Sequence, residues 1–289
     1  MPLVSIVLPT RNRADLLRES VESVRSQSHK NWELIIVDDA STDETTQVID
    51  ELVESDERIK YVRNPVNEKV AGSLNNGFAL AKGDFLTWTS DDNLYRPGAL
   101  DVMVKMISDA DLVYADMTLI DAVGLTIGHQ KARPPAQLML RNVIGSCFLY
   151  NRKILDRVGA YDKQWALVED WDYWIRAAKF KMRMKPIPDD LYECRMHDSS
   201  ELSTRRQDLL DYIEKLMHKH LGSLPEPHHA AGLLHLAEIE WRHGHKKEAK
   251  RYARKAFGGP AIKLYRQELY DGLFGPGSSQ KWLKTPGIT

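Results

Sequence analysis

Cysteine is nearly missing from this chain: two among 289 residues, Cys147 and Cys194. Two thiols so far apart make no disulfide framework and lack metal-site spacing, so both are expected as small buried apolar residues. Long apolar runs are missing too, and no window approaches the roughly 18 apolar residues of a spanning helix. The opening MPLVSIVLPT has neither the basic region nor the extended apolar core of a secretory signal, so the cytoplasm is the expected compartment. No sign of charge prevails, with 40 Lys and Arg against 41 Asp and Glu. That balance argues against nucleic acid as a partner and gives no pull toward an anionic membrane, so an anionic ligand needs a local site. Glycine-rich phosphate loops are absent as well. The first apolar run is followed by Pro9-Thr10-Arg11-Asn12-Arg13 rather than a Gly-x-Gly-x-x-Gly turn, and no Gly-Lys-Ser/Thr occurs. Dinucleotide oxidoreductases and Walker-type ATPases are argued against on those grounds. What remains is a globular composition, 43% apolar and 28% charged, which suffices for one large domain or a domain with an appendage.

The first third alternates strand and helix patterns. Leu3 to Leu8 is a β-branched run ending at Pro9, and Leu17, Val21 and Val24 then mark one helical face. Glu33 to Val37 predicts a buried strand closing in Asp38-Asp39. Ser41 and Glu44 have the spacing of a capping box before a helix carrying Val48, Ile49, Leu52 and Val53. Ile59 to Val62 predicts a third strand, Leu74 to Ala81 a helix, and Asp84 to Thr89 a fourth strand ending in Ser90-Asp91-Asp92-Asn93. Pro97 stands where a helix would begin, with Leu100, Val104 and Ile107 on its face, and Leu112 to Ala115 predicts a fifth strand. This order implies an α/β fold, a mostly parallel sheet with helices on both faces. Ligands of such sheets sit at the carboxyl ends of the strands, where Thr10, Asp39, Asp91 and Asp92 fall.

After about residue 120 the pattern loosens. Lys131 to Pro135 predicts a loop, Asn142 to Tyr150 a strand, and Glu169 to Phe180 a helix packed through Trp171, Trp174, Ile175 and Ala178. Pro186 and Pro188 are expected to break the chain before Leu191 to Met196. Beyond Ser200 the character turns helical: Leu209, Ile213 and Leu216 form a stripe, and His228 to Arg242 and His245 to Phe257 predict a hairpin joined at Gly244. The expected division is a domain at 1–200 and a helical extension at 201–289 with a loose tail from Gly275. The histidines there (His218, His220, His228, His229, His235, His243 and His245) are expected as solvated surface residues. The extension is a candidate surface for self-association or a partner.

Acids carry the chemistry. Asp91-Asp92 at a strand end is a hard-oxygen pair suited to Mg²⁺ or Mn²⁺, and such an ion bridges the clustered charge of a nucleotide diphosphate. Its plainer role is an Asx turn. Asp39 is placed to accept hydrogen bonds from a base or ribose, while its plainer role is helix capping with Ser41.

Taken in order, several motifs resemble family 2 glycosyltransferases of the GT-A fold. They are Val4 to Asn12, Ile36 to Asp43, Asn75-Asn76-Gly77, Ala81 to Phe85, Ser90 to Pro97, Val158 to Asp162, Glu169-Asp170 and Tyr192 to His197, spanning about residues 3 to 200. The Asp-Asp-Asn-x-Tyr-x-Pro run is closest to the spore-coat polysaccharide branch. The resemblance implies a nucleotide-diphosphate sugar donor, UDP-sugar first, and a glycan or other hydroxyl acceptor. It further implies that Pro9, Thr10 and Arg11 border the base, Asp39 contacts the pyrimidine, Asp91 faces the ribose, and Asp92 with His197 binds Mn²⁺ or Mg²⁺. Asp170 matches the catalytic base and Glu169 is the alternate, for an inverting transfer in glycan or cell-surface polysaccharide synthesis. A carboxylate in the first turn of a helix is also a dipole-favoured cap, and the two roles are compatible.

Three departures stand out. Thr89 replaces an Asp common in the family, and Leu74 replaces an Arg, leaving Lys69 or Arg63 as the candidate phosphate contact. The Gln-x-x-Arg-Trp motif of processive synthases is absent, so single-sugar transfer is expected. A nucleotide-sugar-binding module without turnover is the rival expectation; a sugar-1-phosphate nucleotidyltransferase lacks the glycine-rich opening loop it needs.

Overall fold

The computed structural model describes residues 1–196, 205–223 and 228–256. The chain divides into two compact units, one of Met1–Arg133 with Ile144–Arg206, the other joining Pro134–Val143 to the residues from Gln207 onward.

The first unit begins β1 (Val4–Thr10), α1 (Ala14–Arg25), β2 (Trp32–Asp38), α2 (Thr45–Ser55), β3 (Ile59–Arg63), α3 (Lys69–Leu80) and β4 (Phe85–Trp88). It continues β5 (Leu94–Tyr95), α4 (Ala99–Met106), β6 (Leu112–Ile120), β7 (Thr126–Gln130), β8 (Phe148–Asn151), α5 (Arg152–Val158), α6 (Glu169–Lys179) and β9 (Met184–Arg195). The strands form one sheet ordered β3-β2-β1-β4-β8-β6-β9-β5, with β7 on β6. The first four strands are parallel, and β8 is antiparallel to both β4 and β6. Continuous apolar runs mark strands covered on both faces, and β1 and β2 are buried along almost their whole length. Leu17, Val21 and Val24 of α1 and Val48, Ile49 and Leu52 of α2 pack with Ile6, Leu8, Leu34 and Ile36. Each such side chain contributes roughly 1.5–3 kcal/mol by leaving water.

Register brings the parallel strand ends together: Thr10 pairs with Asp38 and Val7 with Trp88. Gly77 allows α3 to press onto this part of the sheet, since a Cβ there would lie 2.4 Å from Val7 Cγ1 and 3.0 Å from Val37 Cγ2.

Several expected local features differ. The Ser41–Glu44 capping box does not form: α2 starts at Thr45 without a side-chain cap bond from Glu44. Ser41 Oγ instead accepts the Asn12 amide at 3.1 Å, and Asp43 Oδ1 accepts the Thr45 amide at 3.0 Å. Helix α3 begins at Lys69, earlier than the apolar stripe suggests, and β6 extends to Ile120. The strand expected from Asn142 is confined to Phe148–Asn151. Pro186 and Pro188 do not break the chain: β9 runs through both, and its ladder with β6 shifts register around Ala115, Asp116 and Met117. A bulge accommodates the residues that cannot donate to the ladder.

The second unit contains α7 (Arg206–His220), α8 (His228–Arg242) and α9 (Lys246–Lys255). Helices α8 and α9 form the expected hairpin through Gly244, whose φ is +81°, closing over Ala237, Ala249 and Ala253. The histidines of this unit are not uniformly solvated. His220 is fully buried, and His228, His229 and His235 are half-buried. The ring Nδ1 atoms of His229 and His235 lie 2.6 Å from Leu221 O and 3.0 Å from Met139 O. Main-chain carbonyls thus draw these rings inward. Among the described residues no helix is long and apolar enough to cross a membrane.

Candidate functional site

A cleft of about 330 Å³ opens at the carboxyl ends of the parallel strands, wholly within the first unit. Pro9, Thr10, Arg11, Asp39, Asp91, Asp92, Glu169 and Asp170 all line it. Four separate stretches of sequence therefore meet there. His197, the second metal ligand implied by the sequence, lies outside the described residues.

The Asp91-Asp92 turn is anchored from two directions. Thr10 Oγ1 donates to Asp91 Oδ2 at 2.7 Å across the β1 end, and Ser20 Oγ donates to the Ser90 carbonyl at 2.9 Å. Burial pushes the Asp91 carboxyl up to about 7, the neighbouring Asp92 charge adds to the rise, and Thr10 and Arg13 pull the other way. On the far side Arg195, from the end of β9, donates through Nε to the Asp92 carbonyl at 3.0 Å and through Nη2 to Glu19 Oε2 at 2.8 Å. Its Nη1 reaches the Ala122 carbonyl at 3.2 Å, and its amide donates to Asn93 Oδ1 at 2.8 Å.

The two acids after β2 have different surroundings. Asp38 is fully buried; its carboxylate accepts the Ser41 amide at 2.8 Å and faces Arg63 Nη1 at 3.3 Å. Asp38 thus closes the turn after β2, which lies before α2 starts at Thr45. Asp39 Oδ1 accepts Asn64 Nδ2 at 2.9 Å and the Glu68 amide at 2.7 Å, while Oδ2 accepts the Lys69 amide at 3.0 Å. It therefore ties down the first amides of α3, which is favourable for an anion at a helix start. Arg11 Nη1 donates to the Asp39 carbonyl at 3.2 Å.

The other wall comes from the start of α6, where Glu169, Asp170 and Asp172 share the first turn. Asp172 is fully buried and paired with Arg176 Nε at 2.7 Å, so it belongs to the scaffold. Asp170 Oδ1 accepts the Trp171 amide at 2.7 Å. Tyr161, Tyr173, Phe78 and Tyr150 pack behind it, with Tyr161 and Tyr173 stacked at 4.2 Å between centroids. Asn75 holds this layer from α3: its Nδ2 donates to the Tyr161 carbonyl at 2.9 Å and its Oδ1 accepts the Tyr161 amide at 2.8 Å. The Asn75-Asn76-Gly77 motif thus links the helix capped by Asp39 to the wall that carries Asp170.

Sequence reasoning gave no role to Arg195 or Asn64, whose partners lie far along the chain. Of the two cations weighed as phosphate contacts, Arg63 is occupied: it also donates to Thr46 Oγ1 at 2.6 Å and the Ser41 carbonyl at 2.7 Å. Lys69 lines the cleft. Leu74, at the position where an Arg is common, is fully buried. Thr89, in place of an Asp, bonds the Tyr192 hydroxyl at 2.6 Å inside the fold. Cys147 is fully buried as expected, whereas Cys194 is only half-buried because it lies in the cleft wall. Among the described residues no group of three or more His, Cys, Asp or Glu side chains forms a metal cluster.

The family model for glycosyl transferase family 2 matches residues 5–159. The chain is 30% identical over 217 residues to the putative glycosyltransferase EpsE of Bacillus subtilis, covering 71% of this chain and 76% of EpsE. Its fold is similar to that of Staphylococcus aureus TarS in complex with UDP-GlcNAc, with a TM-score of 0.67 and 19% identity over 94% of this chain and 84% of that one. It is also similar to the mannosyltransferase PcManGT of Pyrobaculum calidifontis in complex with GDP-Man and Mn²⁺, with a TM-score of 0.65 and 19% identity over 94% and 78%. The architecture these structures share is the GT-A fold. The spore-coat resemblance rests on the sequence motif alone.

Proposed function

Because this chain belongs to glycosyl transferase family 2, we propose that it transfers a sugar from a uridine-diphosphate donor to a hydroxyl acceptor, with inversion, in glycan or cell-surface polysaccharide synthesis. The observation that carries the proposal is the meeting of Asp39, Asp91 and Asp92 with Glu169 and Asp170 in one cleft.

Each residue then has a task. Asp39 accepts a hydrogen bond from the base, with Pro9, Thr10 and Arg11 bordering it. Asp91, held by Thr10, faces the ribose. The paired carboxylates are a hard-oxygen donor set that fits Mn²⁺ or Mg²⁺, with Asp92 and, by family resemblance, His197 as the holders. A divalent ion bound there supplies neutralisation of the departing diphosphate. Asp170 takes the acceptor hydroxyl proton, with Glu169 as the alternate base. The freed oxygen forms a bond to the anomeric carbon on the face opposite the donor's phosphate, and that carbon–oxygen bond breaks with its electron pair on the nucleoside diphosphate. Asp170 sits in the first turn of α6, where the helix dipole favours negative charge. A single sugar is transferred per event.

The rival is a module that binds the donor without turnover. Incubating the full chain with a UDP-sugar and Mn²⁺, without acceptor, separates the two by release of UDP. Slow metal-dependent release, abolished in Asp92→Ala with an unchanged melting profile in the absence of metal, supports the transferase. Tight donor binding with neither release nor transfer across an acceptor panel overturns it in favour of the module.

A further inference from the structure

Behind the wall that carries Asp170 lies a layer of aromatic rings whose polar atoms find no protein partner. Trp88 closes β4, Tyr150 stands in β8, Tyr161 follows α5, and Tyr173 and Trp174 lie on α6. Tyr161 and Tyr173 stack at 4.2 Å between centroids, Tyr150 tilts against Tyr173 at 6.1 Å, and Trp174 meets Tyr173 edge-on at 5.2 Å. All five side chains are buried. None of the three hydroxyls or the two indole N–H groups is hydrogen-bonded to a protein atom. Buried polar atoms are ordinarily bonded, either to protein or to ordered water. The cost of leaving five unsatisfied would rival the whole stability of a domain. Packing alone does not call for hydroxyls here, since Phe78 and Phe148 fill the same layer without them.

The polar atoms converge. The Tyr150 hydroxyl lies near those of Tyr161 and Tyr173, and the Tyr161 hydroxyl lies near the Trp88 indole. Burial pushes all three phenols above their ordinary value, and at Tyr161 the neighbouring Tyr173 and Asp170 add to the rise. They stay protonated at neutral pH, so each can donate one bond and accept others, while Trp88 Nε1 only donates. An internal water needs about two to four such partners. The layer also joins the two acidic walls. Trp88 lines the cleft and stands shortly before Asp91 in sequence. Tyr173 follows Asp170 on α6, and Tyr161 is tied to α3 through Asn75.

We propose that ordered water in this layer, bonded by the Tyr150, Tyr161 and Tyr173 hydroxyls and by Trp88 Nε1, bridges β4 to α6 and fixes the spacing between the Asp91-Asp92 turn and Asp170. The three tyrosines are then positioning residues that never touch substrate. The positioning role rests on the transfer proposed above; the water site does not.

A crystal structure of the full-length chain, at a resolution that shows ordered water, reads the site directly. Density within hydrogen-bond reach of the three hydroxyls is expected. Melts are then measured for wild type, Tyr150→Phe, Tyr161→Phe, Tyr173→Phe and the triple variant. Each single change strands the water's other partners and is expected to lower the melting temperature by about 2–4 °C. The triple variant removes every hydroxyl at once, so its loss is expected to be smaller than the three single losses added together. Release of UDP with Mn²⁺, from the UDP-sugar that wild type turns over fastest, separates positioning from packing. Tyr161→Phe is expected to lower kcat about tenfold with KM for the donor held within about twofold, because misplaced reacting groups act on the chemical step. Hydroxyls bonded directly to one another, with no density between them, overturn the water site, as do single losses that simply add in the triple variant. An unchanged kcat in Tyr161→Phe overturns the positioning role. A wild-type chain that neither releases UDP nor transfers to an acceptor overturns the transferase reading and the positioning role with it, while density and melts still decide the water site.

Discussion

Replacing Arg195 with Met tests whether the acidic turn is held from outside itself. Methionine keeps most of the length and apolar bulk, so the change removes charge and hydrogen bonds more than volume. The Arg195 side chain is 4% exposed, while its ion-pair partner Glu19 is 54% exposed. The Glu19 bond therefore contributes at most about 1 kcal/mol. Bonds from the guanidinium to the Asp92 and Ala122 carbonyls are charge-assisted and mostly out of water, and together with the carbonyls left unpaired they account for about 2–3 kcal/mol. A total near 3 kcal/mol lowers the melting temperature of a unit this size by about 6–12 °C. Because Asp92 is the proposed metal holder, loosening its turn should also weaken Mn²⁺ binding in the presence of UDP about 10- to 100-fold, the usual cost of losing support behind a ligand. Tryptophan fluorescence melts and Mn²⁺ titrations of wild type, Arg195→Met and Glu19→Ala measure both effects. Glu19→Ala should reproduce only the small share. If Arg195→Met melts within about 1 °C of wild type and binds Mn²⁺ as tightly, the bonds to the turn carry no such energy and the reasoning fails.

Two further outcomes follow from the same geometry. Asp170→Asn removes a proton acceptor with little change in shape, so transfer should fall about 10²–10⁴-fold while UDP affinity holds within about twofold; single-turnover transfer with parallel UDP titration reads the split, and undiminished transfer removes Asp170 from the mechanism. At the opposite end of β2, burial works to raise the Glu33 carboxyl, but bonds from Lys60, Ser5 and the Lys82 amide outweigh it and hold the group below its ordinary value. A lowered folded value stabilises the fold above the unfolded value, near 4.5, and that contribution is lost as the pH falls through the folded value. Glu33→Gln should therefore cost about 1–2 kcal/mol at pH 7, and urea melts should show the gap to wild type closing below about pH 4.5. A gap independent of pH would rule out an ionic origin.

The parts of the fold legible in the sequence are those whose neighbours are local or repetitive. Runs such as Glu33 to Val37 announce strands covered on both faces, and the stripe of Leu17, Val21 and Val24 announces the helix that covers them. Because parallel strands all end on one side, placing Thr10, Asp39, Asp91 and Asp92 at strand ends already placed them near each other. Long-range bonds were not legible. Arg195 reaches Asp92 across 103 positions and Glu19 across 176, and nothing in the composition of either segment signals the pairing. Pro186 and Pro188 argued against a strand because a proline ends a ladder in isolation; β9 itself bulges between Ile187 and Asp190, so Pro188 falls among the extra residues while the ladder with β6 resumes beyond it. The histidines of the helical unit misled for the complementary reason. A helical stripe of His, Lys and Glu suggests a wet face, but a carbonyl such as that of Met139 can seat a ring inside the packing.

Capping was misassigned in an instructive way. Ser41 and Glu44 have the right spacing, yet the Ser41 hydroxyl is claimed by the Asn12 amide in the loop after β1, and the stronger capping acid, Asp39, serves α3 rather than the helix that follows it in sequence. That exchange ties the Asp39 side of the cleft together. With Asp39 bonding the start of α3, Asn64 bridging Asp39 to Ser73 and Asn76, and Asn75 clamping Tyr161, Asp39 and the wall bearing Asp170 are held by one helix. The scaffold has already consumed most of Asp39's bonding capacity and one oxygen of Asp91. What the proposed donor meets is a small set of acceptor places fixed by the fold, so on that proposal little ordering is required on binding and recognition depends on matching those places.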